Sequence, residues 1–183
     1  MIVGITGTNG AGKDLVAEQF VAAGFHRISL SDIIREELKV RRLPELRENT
    51  AMIGDELRKK DLGELSRRAL ARVSSSENAV IVSIRTPAEV AVFREHGNFY
   101  FIAVDAAPKL RYERTRDRGR EGDQVSYEYF LEHDHKERSG QEAHEQQIDN
   151  LFVLADCVIL NNGTKEEFLN QIKNLIQKMG SVK

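Results

Sequence analysis

The amino-acid sequence predicts an α/β fold: a parallel sheet with helices on both faces. Three observations carry that prediction. Apolar, β-branched runs alternate with helical patterns along the 183 residues. One run, Ala79-Val80-Ile81-Val82-Ser83-Ile84, is apolar almost without a break, as a strand buried on both faces must be. The first run passes through a glycine-rich turn directly into a helix, and ligands of parallel sheets sit at such strand ends.

Residues 2–6 form the first strand, with Ile2, Val3, Ile5 and Thr6. The turn after it reads Gly7-Thr8-Asn9-Gly10-Ala11-Gly12-Lys13, the G-x-x-x-x-G-K spacing of a phosphate-binding (Walker A) loop. Glycine lets the backbone turn tightly and approach a ligand. Successive N–H groups and the helix N-terminus then aim positive dipole at phosphate, and Lys13 reaches the β- and γ-phosphates. The expected ligand is a nucleoside triphosphate, ATP, held by Gly7, Asn9, Gly10, Ala11, Gly12, Lys13 and Asp14. The alternative is a glycine-rich turn that only joins strand to helix. Asp14 stands where the pattern asks for Ser or Thr.

The first helix covers residues 13–23 and ends at Gly24, a C-cap residue. Residues 26–30 are the second strand. Ser31 or Asp32 caps a charged helix to residue 41, and Pro44 interrupts. Helical segments at 49–60 and 62–73 complete a stretch of about 50 residues, longer than a crossover needs. It reads as an inserted subdomain. A loop at 74–78 precedes the third strand, 79–84. Pro87 opens a helix to His96. Residues 99–104 are the fourth strand, and Pro108 starts a helix bearing Arg111, Arg114, Arg116 and Arg118. After a polar break at 119–124, a long polar helical region runs over 126–154. Residues 157–160 are the fifth strand. A last helix, 165–179, lines up Phe168, Ile172, Leu175 and Ile176.

The length fits a single domain with a real core. A net charge of −2 gives no general footprint for nucleic acid. The single cysteine, Cys157, lies in an apolar run, so no disulfide framework exists and the thiol reads as a core residue. No stretch approaches ~18 apolar residues, so no membrane span is expected. No basic leader with a cleavage site precedes the first strand, and the expected location is the cytoplasm.

Phosphoryl transfer needs positioning and charge neutralisation, hence a loop, a metal and arginines. Asp14 could bind Mg²⁺ as a hard oxygen ligand, or only favour the helix dipole. The third strand holds no acid, so Asp32 and Asp105 are the remaining strand-end candidates. Asp105 reads as a cap before Pro108, and Asp32 as functional, with Arg35 one turn away. Arg35 and Arg85 emerge at the sheet edge that carries the loop, where two guanidiniums can clamp one phosphate. Arg111, Arg114, Arg116, Arg118 and Arg120 suit a lid closing over a triphosphate. An RNA-contacting patch and plain helix-end charge are the alternatives. His133 and His135 lie two apart on a helix, face different ways and do not make a metal pair. His26, His96 and His144 carry no pattern.

With these residues in hand, the chain resembles the P-loop kinases of small metabolites, most of all dephospho-CoA kinase and the adenylate-kinase-related group. The resemblance runs over nearly the whole chain. Beyond the loop, Ser31-Asp32-Ile33-Ile34-Arg35 is similar to the acid-x-x-Arg of both groups. It implies Arg35 on the acceptor and Asp32 at the reacting centre. Ile84-Arg85-Thr86 is similar to the Pro-Arg-Thr of adenylate kinases, whose Arg contacts the monophosphate. Asp105 through Arg114 and Arg118 resembles the helix leading into a lid. The segment from Ala155 to Asn161-Asn162-Gly163 resembles the ending of dephospho-CoA kinases, and implies adenine contact by Asn162 and Gly163. The implied fold is a three-layer α/β/α P-loop kinase fold with a parallel five-stranded sheet. Its implied parts are a core (1–30, 79–118, 155–183), a helical acceptor-binding insert (31–78) and a lid (119–154). The departures are Asp14, the missing acid of the third strand and the poorly matched lid-return arginines, for which Arg138 is the candidate.

The expected activity is ATP-dependent phosphoryl transfer to a small nucleotide-like acceptor. Lys13 and the loop hold ATP, Mg²⁺ bridges its phosphates, Arg114 and Arg118 neutralise charge, and Asp32, Arg35 and Arg85 hold the acceptor. A monophosphate acceptor suits the two-arginine clamp. A hydroxyl acceptor such as dephospho-CoA suits Asp32 as base. A nucleotide-binding regulator with slow ATPase activity is the alternative of another class.

Overall fold

The computed structural model describes residues 1–74, 77–119 and 123–180. Five parallel strands form one sheet: β1 (Ile2–Gly7), β2 (His26–Ser29), β3 (Ala79–Val82), β4 (Phe99–Asp105) and β5 (Cys157–Leu160). Their order is β2-β3-β1-β4-β5. The first strand is therefore central, paired Ile2↔Ala79 with β3 and Ile2↔Phe99 with β4. The described helices are α1 (Lys13–Ala22), α2 (Leu30–Val40), α3 (Arg47–Lys60), α4 (Glu64–Leu70), α5 (Pro87–His96), α6 (Pro108–Arg118), α7 (Tyr127–Arg138), α8 (Ile148–Leu154) and α9 (Lys165–Gly180).

Strand alternation sorts the core into two layers. Val3, Ile5, Val80, Val82, Ile102 and Ile159 pack against Val16 and Phe20 of α1 and Phe168 and Ile172 of α9. Ile2, Ile28, Ile81 and Phe101 face the other way, towards α2, α3, α4, α5 and α8. Gly4 is needed on that second face, because a Cβ there would lie 2.5 Å from Cζ of Phe99.

The strands and helices expected from the sequence are present, with four differences. The expected helical region over 126–154 consists of two helices. Its polar first part ends at Arg138, whereas Ile148 and Leu151 of α8 are fully buried in the core. Gly140 donates from N–H to the Gln146 carbonyl and Gln147 to the Arg85 carbonyl (3.1 and 2.9 Å), so the connection folds back onto the sheet edge. Strand β3 stops at Val82, because Ser83 takes a left-handed φ of 67° and Thr6 Oγ1 donates to the Ile84 carbonyl at 2.8 Å. Helix α2 starts at Leu30 behind Ser29, so Ser31 and Asp32 lie in its first turn rather than capping it. Asp105 does not cap α6, whose N-cap residue is Ala107. Of the expected 74–78 loop, Ser75 and Ser76 lie outside the described residues.

Candidate nucleotide and acceptor site

The loop joining β1 to α1 closes around left-handed glycines. Gly7, Gly10 and Gly12 have φ of 141°, 78° and 105°. Their neighbours are equally restrictive: a Cβ would come within 2.0 Å of the Val104 carbonyl oxygen at Gly7 and 2.4 Å of the Arg111 carbonyl oxygen at Gly10. At Gly12 it would lie 2.7 Å from Asn161 Nδ2. The sequence therefore dictates a tight cradle in which only glycine fits at three positions. Ala11 between them is buried, and Lys13 begins the helix with its ammonium donating to the Thr8 carbonyl. Burial and the nearby Arg85 push the Lys13 ammonium down to about 7. Glu137 and Asp14 oppose that shift, and Arg118 adds to it.

A buried ionic network holds this cradle from behind. Thr8 Oγ1 donates to Asp105 Oδ1 at 2.6 Å, and Arg138 donates to Asp105 Oδ2 at 2.6 Å. Arg111, with no exposed side-chain surface, makes two bonds to Asp134, at 2.6 and 2.7 Å, and donates to the Asn9 carbonyl at 3.4 Å. Arg138 also reaches Asp134 and Asp149. Arg111 is thus a structural cation beneath the loop and not one of the lid charges that the sequence suggested. Asp105 ties β4 to the loop; its carboxyl is held low by hydrogen bonds from Thr8 and Arg138, against the opposing effect of burial.

The other expected residues distribute as follows. Arg118 donates to Asp123 at 2.9 and 3.0 Å and lies 3.5 Å from Asn9 Oδ1, at the mouth of the loop. Arg114 instead donates to the Asn161 carbonyl at 3.0 Å. Asn161 Nδ2 in turn donates to the Ala11 carbonyl at 2.9 Å. The expected adenine residue Asn162 accepts from the Ala107 N–H at 2.7 Å, and Gly163 adjoins Glu167. Between loop and α9 lies a cavity of about 350 Å³ lined by Gly12, Leu15, Arg114, Asn161, Lys165 and Phe168. Arg120 lies outside the described residues.

On the opposite flank, Arg85 Nη1 donates to the Gly7 carbonyl at 3.2 Å and stands 3.9 Å from Glu137 Oε2. Glu89, fully buried, holds the Arg85 backbone N–H at 2.7 Å while pairing with Arg58 at 2.9 Å. Arg35 is bound at 2.6 Å to both Asp32 and Glu45. Arg35 and Arg85 therefore engage different partners. Asn161, Asp134, Glu137 and Glu89 were not singled out from the sequence. Asp134, Glu137 and Arg138 share a helix face at i, i+3 and i+4, which is the signal that could have found them.

The loop has the tight left-handed glycine turns and the following lysine that a phosphate chain requires. For a metal the donors are few. Among the described residues no three His, Cys, Asp or Glu side chains gather. Asp14, expected as a ligand, accepts from Arg27 at 2.7 Å, and Asp32 pairs with Arg35. That set suits Mg²⁺ carried mainly by phosphate oxygens and water.

A central parallel strand that ends in such a cradle, in a sheet covered on both faces, defines the P-loop kinase-like class. The chain belongs to the AAA_18 family, described as an AAA domain, whose model matches residues 3–139. Its relatives include a UPF0200 protein of Thermococcus gammatolerans, 35% identical over 98% of this chain and 95% of the relative. Another, from Methanocaldococcus jannaschii, is 32% identical over 98% and 90%. Among solved structures, the fold is similar to shikimate kinase from Bacteroides thetaiotaomicron, with a TM-score of 0.61, 15% identity and 98% of each chain covered. It is also similar to TT1252 from Thermus thermophilus, with a TM-score of 0.60, 19% identity and 97% of each covered. No helix among the described residues is long and apolar enough to cross a membrane.

Proposed function

We propose that the chain is an ATP-dependent phosphotransferase acting on a small, nucleotide-like acceptor. The observation that carries this is the cradle itself: three glycines with left-handed φ and blocked Cβ positions, closing on Lys13. Backbone N–H groups hold the β-phosphate, Lys13 neutralises the charge that develops as the γ-phosphoryl group leaves, and Arg118 adds a second cation at the mouth. The cavity beside Gly12 and Phe168 has the place and apolar wall for the base, and Asn161 ties that wall to the loop through the Ala11 carbonyl. Asp14, paired with Arg27 in this structure, would be the protein ligand of a Mg²⁺ bound with the nucleotide, and the chemistry supplied there would be charge neutralisation at the phosphates.

The two acceptor types make different demands. A nucleoside monophosphate acceptor would use Arg35 and Arg85 as its clamp. That clamp requires Arg35 to leave Asp32 and Glu45, and Arg85 to face phosphate beside Glu137. A hydroxyl acceptor, as in dephospho-CoA, needs neither change, and the ion pairs favour it. Of the cations of the RNA-binding alternative, Arg111, Arg114 and Arg118 are engaged internally.

The test is ATP and Mg²⁺ with a panel of nucleoside monophosphates, nucleosides and dephospho-CoA, read by mass spectrometry of the acceptor. Phosphorylation of one panel member, lost in Lys13→Ala, is expected. Slow ADP release that no acceptor changes would instead make the chain a nucleotide-binding regulator with slow ATPase activity.

A further inference from the structure

We propose that Glu137 is the general base of the transfer, and that the acceptor offers it a hydroxyl group rather than a phosphate. This rests on the phosphotransferase reading and names its substrate class.

Glu137 lies on α7, which reaches over the mouth of the loop. Its Oε2 stands 3.9 Å from Arg85 Nη1, and Arg85 Nη1 donates to the carbonyl of Gly7, the first loop glycine. The Glu137 charge also acts directly on the Lys13 ammonium. The carboxylate therefore lies beside two cations of the loop region, Arg85 and Lys13. Its side chain is 19% exposed, largely screened from bulk water. A carboxylate there repels an incoming phosphate dianion, so it works against a monophosphate acceptor. It suits a hydroxyl, which donates to it.

The chain after α7 returns to Arg85, where the Gln147 N–H donates to the Arg85 carbonyl at 2.9 Å. Asp32, the base expected from the sequence, has a side chain 60% exposed and bound to Arg35.

The step balances as follows. The acceptor oxygen forms a bond to the γ-phosphorus while the bond from that phosphorus to the β,γ-bridging oxygen breaks. The electron pair leaves on ADP, where Lys13 meets it. The hydroxyl proton passes to the Glu137 carboxylate and from there to solvent. With water as acceptor the same step is ATP hydrolysis.

The experiment compares wild type, Glu137→Gln and Glu137→Asp. ATP turnover is measured in water alone, then with dephospho-CoA, nucleosides and nucleoside monophosphates, and ATP affinity is measured by calorimetry. Glu137→Gln is expected to lower turnover by about 10²–10⁴-fold, for water and for the productive acceptor alike. It should bind ATP as tightly as wild type or several-fold more tightly, because a negative charge beside Lys13 is gone. Glu137→Asp should recover part of the rate. Glu137→Gln turnover within about threefold of wild type would overturn the proposal, and so would an acceptor phosphorylated on its phosphate. ATP hydrolysis that no acceptor stimulates would refute the phosphotransferase reading alone; the water reaction still decides the role of Glu137. Absence of any ATP turnover in wild type would overturn both.

Discussion

Replacing Asp134 by Leu should destabilise the protein far more than loss of any exposed ion pair. Asp134 is the two-oxygen partner of Arg111, whose side chain has no exposed surface and packs against the Phe130 ring at 5.5 Å. Without the carboxylate a guanidinium stays buried with one side uncompensated, which costs about 3–5 kcal/mol. At about 2.1 cal/mol/K per residue, 183 residues give an unfolding entropy near ~0.38 kcal/mol/K, so Tm should fall by about 8–13 °C. Arg111→Met with Asp134→Leu removes both charges and should recover most of that loss, because an apolar pair of similar volume replaces a buried ion pair at little cost. Thermal unfolding followed by circular dichroism measures all three. A drop below about 3 °C in Asp134→Leu, the size of an exposed pair, would refute the buried network as the loop's support.

Four further outcomes follow from the same geometry. Lys13 in the free protein is held near 7, so at pH 8 it is mostly neutral; ATP binding should then take up close to one proton, seen as a buffer-dependent enthalpy in calorimetry and absent in Lys13→Met. The unfolded chain keeps that lysine protonated to about 10.4, so Lys13 makes stability rise between pH 7 and 10, and Lys13→Met should flatten the slope in denaturant titrations. Gly7→Ala, whose Cβ would meet the Val104 carbonyl, should cost several times more in denaturant unfolding than Gly24→Ala. Gly24 has a φ of 91° and nothing within 4 Å, so it carries only the left-handed penalty of about 1–2 kcal/mol. Asp14→Ser breaks an exposed pair with Arg27 and should shift stability by less than about 1 kcal/mol, while changing the Mg²⁺ concentration needed for half-maximal ATP turnover.

What could be read from the sequence follows from which interactions are local. The β–α alternation, the five strands and the loop depend on periodicity and on glycines a few residues apart, so they were legible. The ionic network was not. Arg111 and Asp134 are 23 residues apart on different helices, and each taken alone is a charged residue on a polar helix. Their burial depends on α6 meeting α7, which no local pattern encodes. Helix α8 was hidden by the polar run before Ile148, which masked the apolar turn that Ile148, Leu151 and Phe152 pack beneath the sheet. At the β5 end the pattern pointed to Asn162 and Gly163, whereas Asn161, one residue earlier, is the side chain that reaches the loop. Arg35 and Arg85 looked like partners because they follow β2 and β3, which are neighbours in the sheet, but each arginine stands beside a carboxylate of its own.

The central claim is that the glycine cradle and Lys13 pass a phosphoryl group from ATP to a second small molecule. Its most direct test is ADP release by wild type with ATP and Mg²⁺, measured with and without each member of the acceptor panel. One acceptor should raise the rate at least tenfold, and Lys13→Ala, folded by circular dichroism, should lose that stimulation. A rate indifferent to every acceptor, or one that survives in Lys13→Ala, would contradict it.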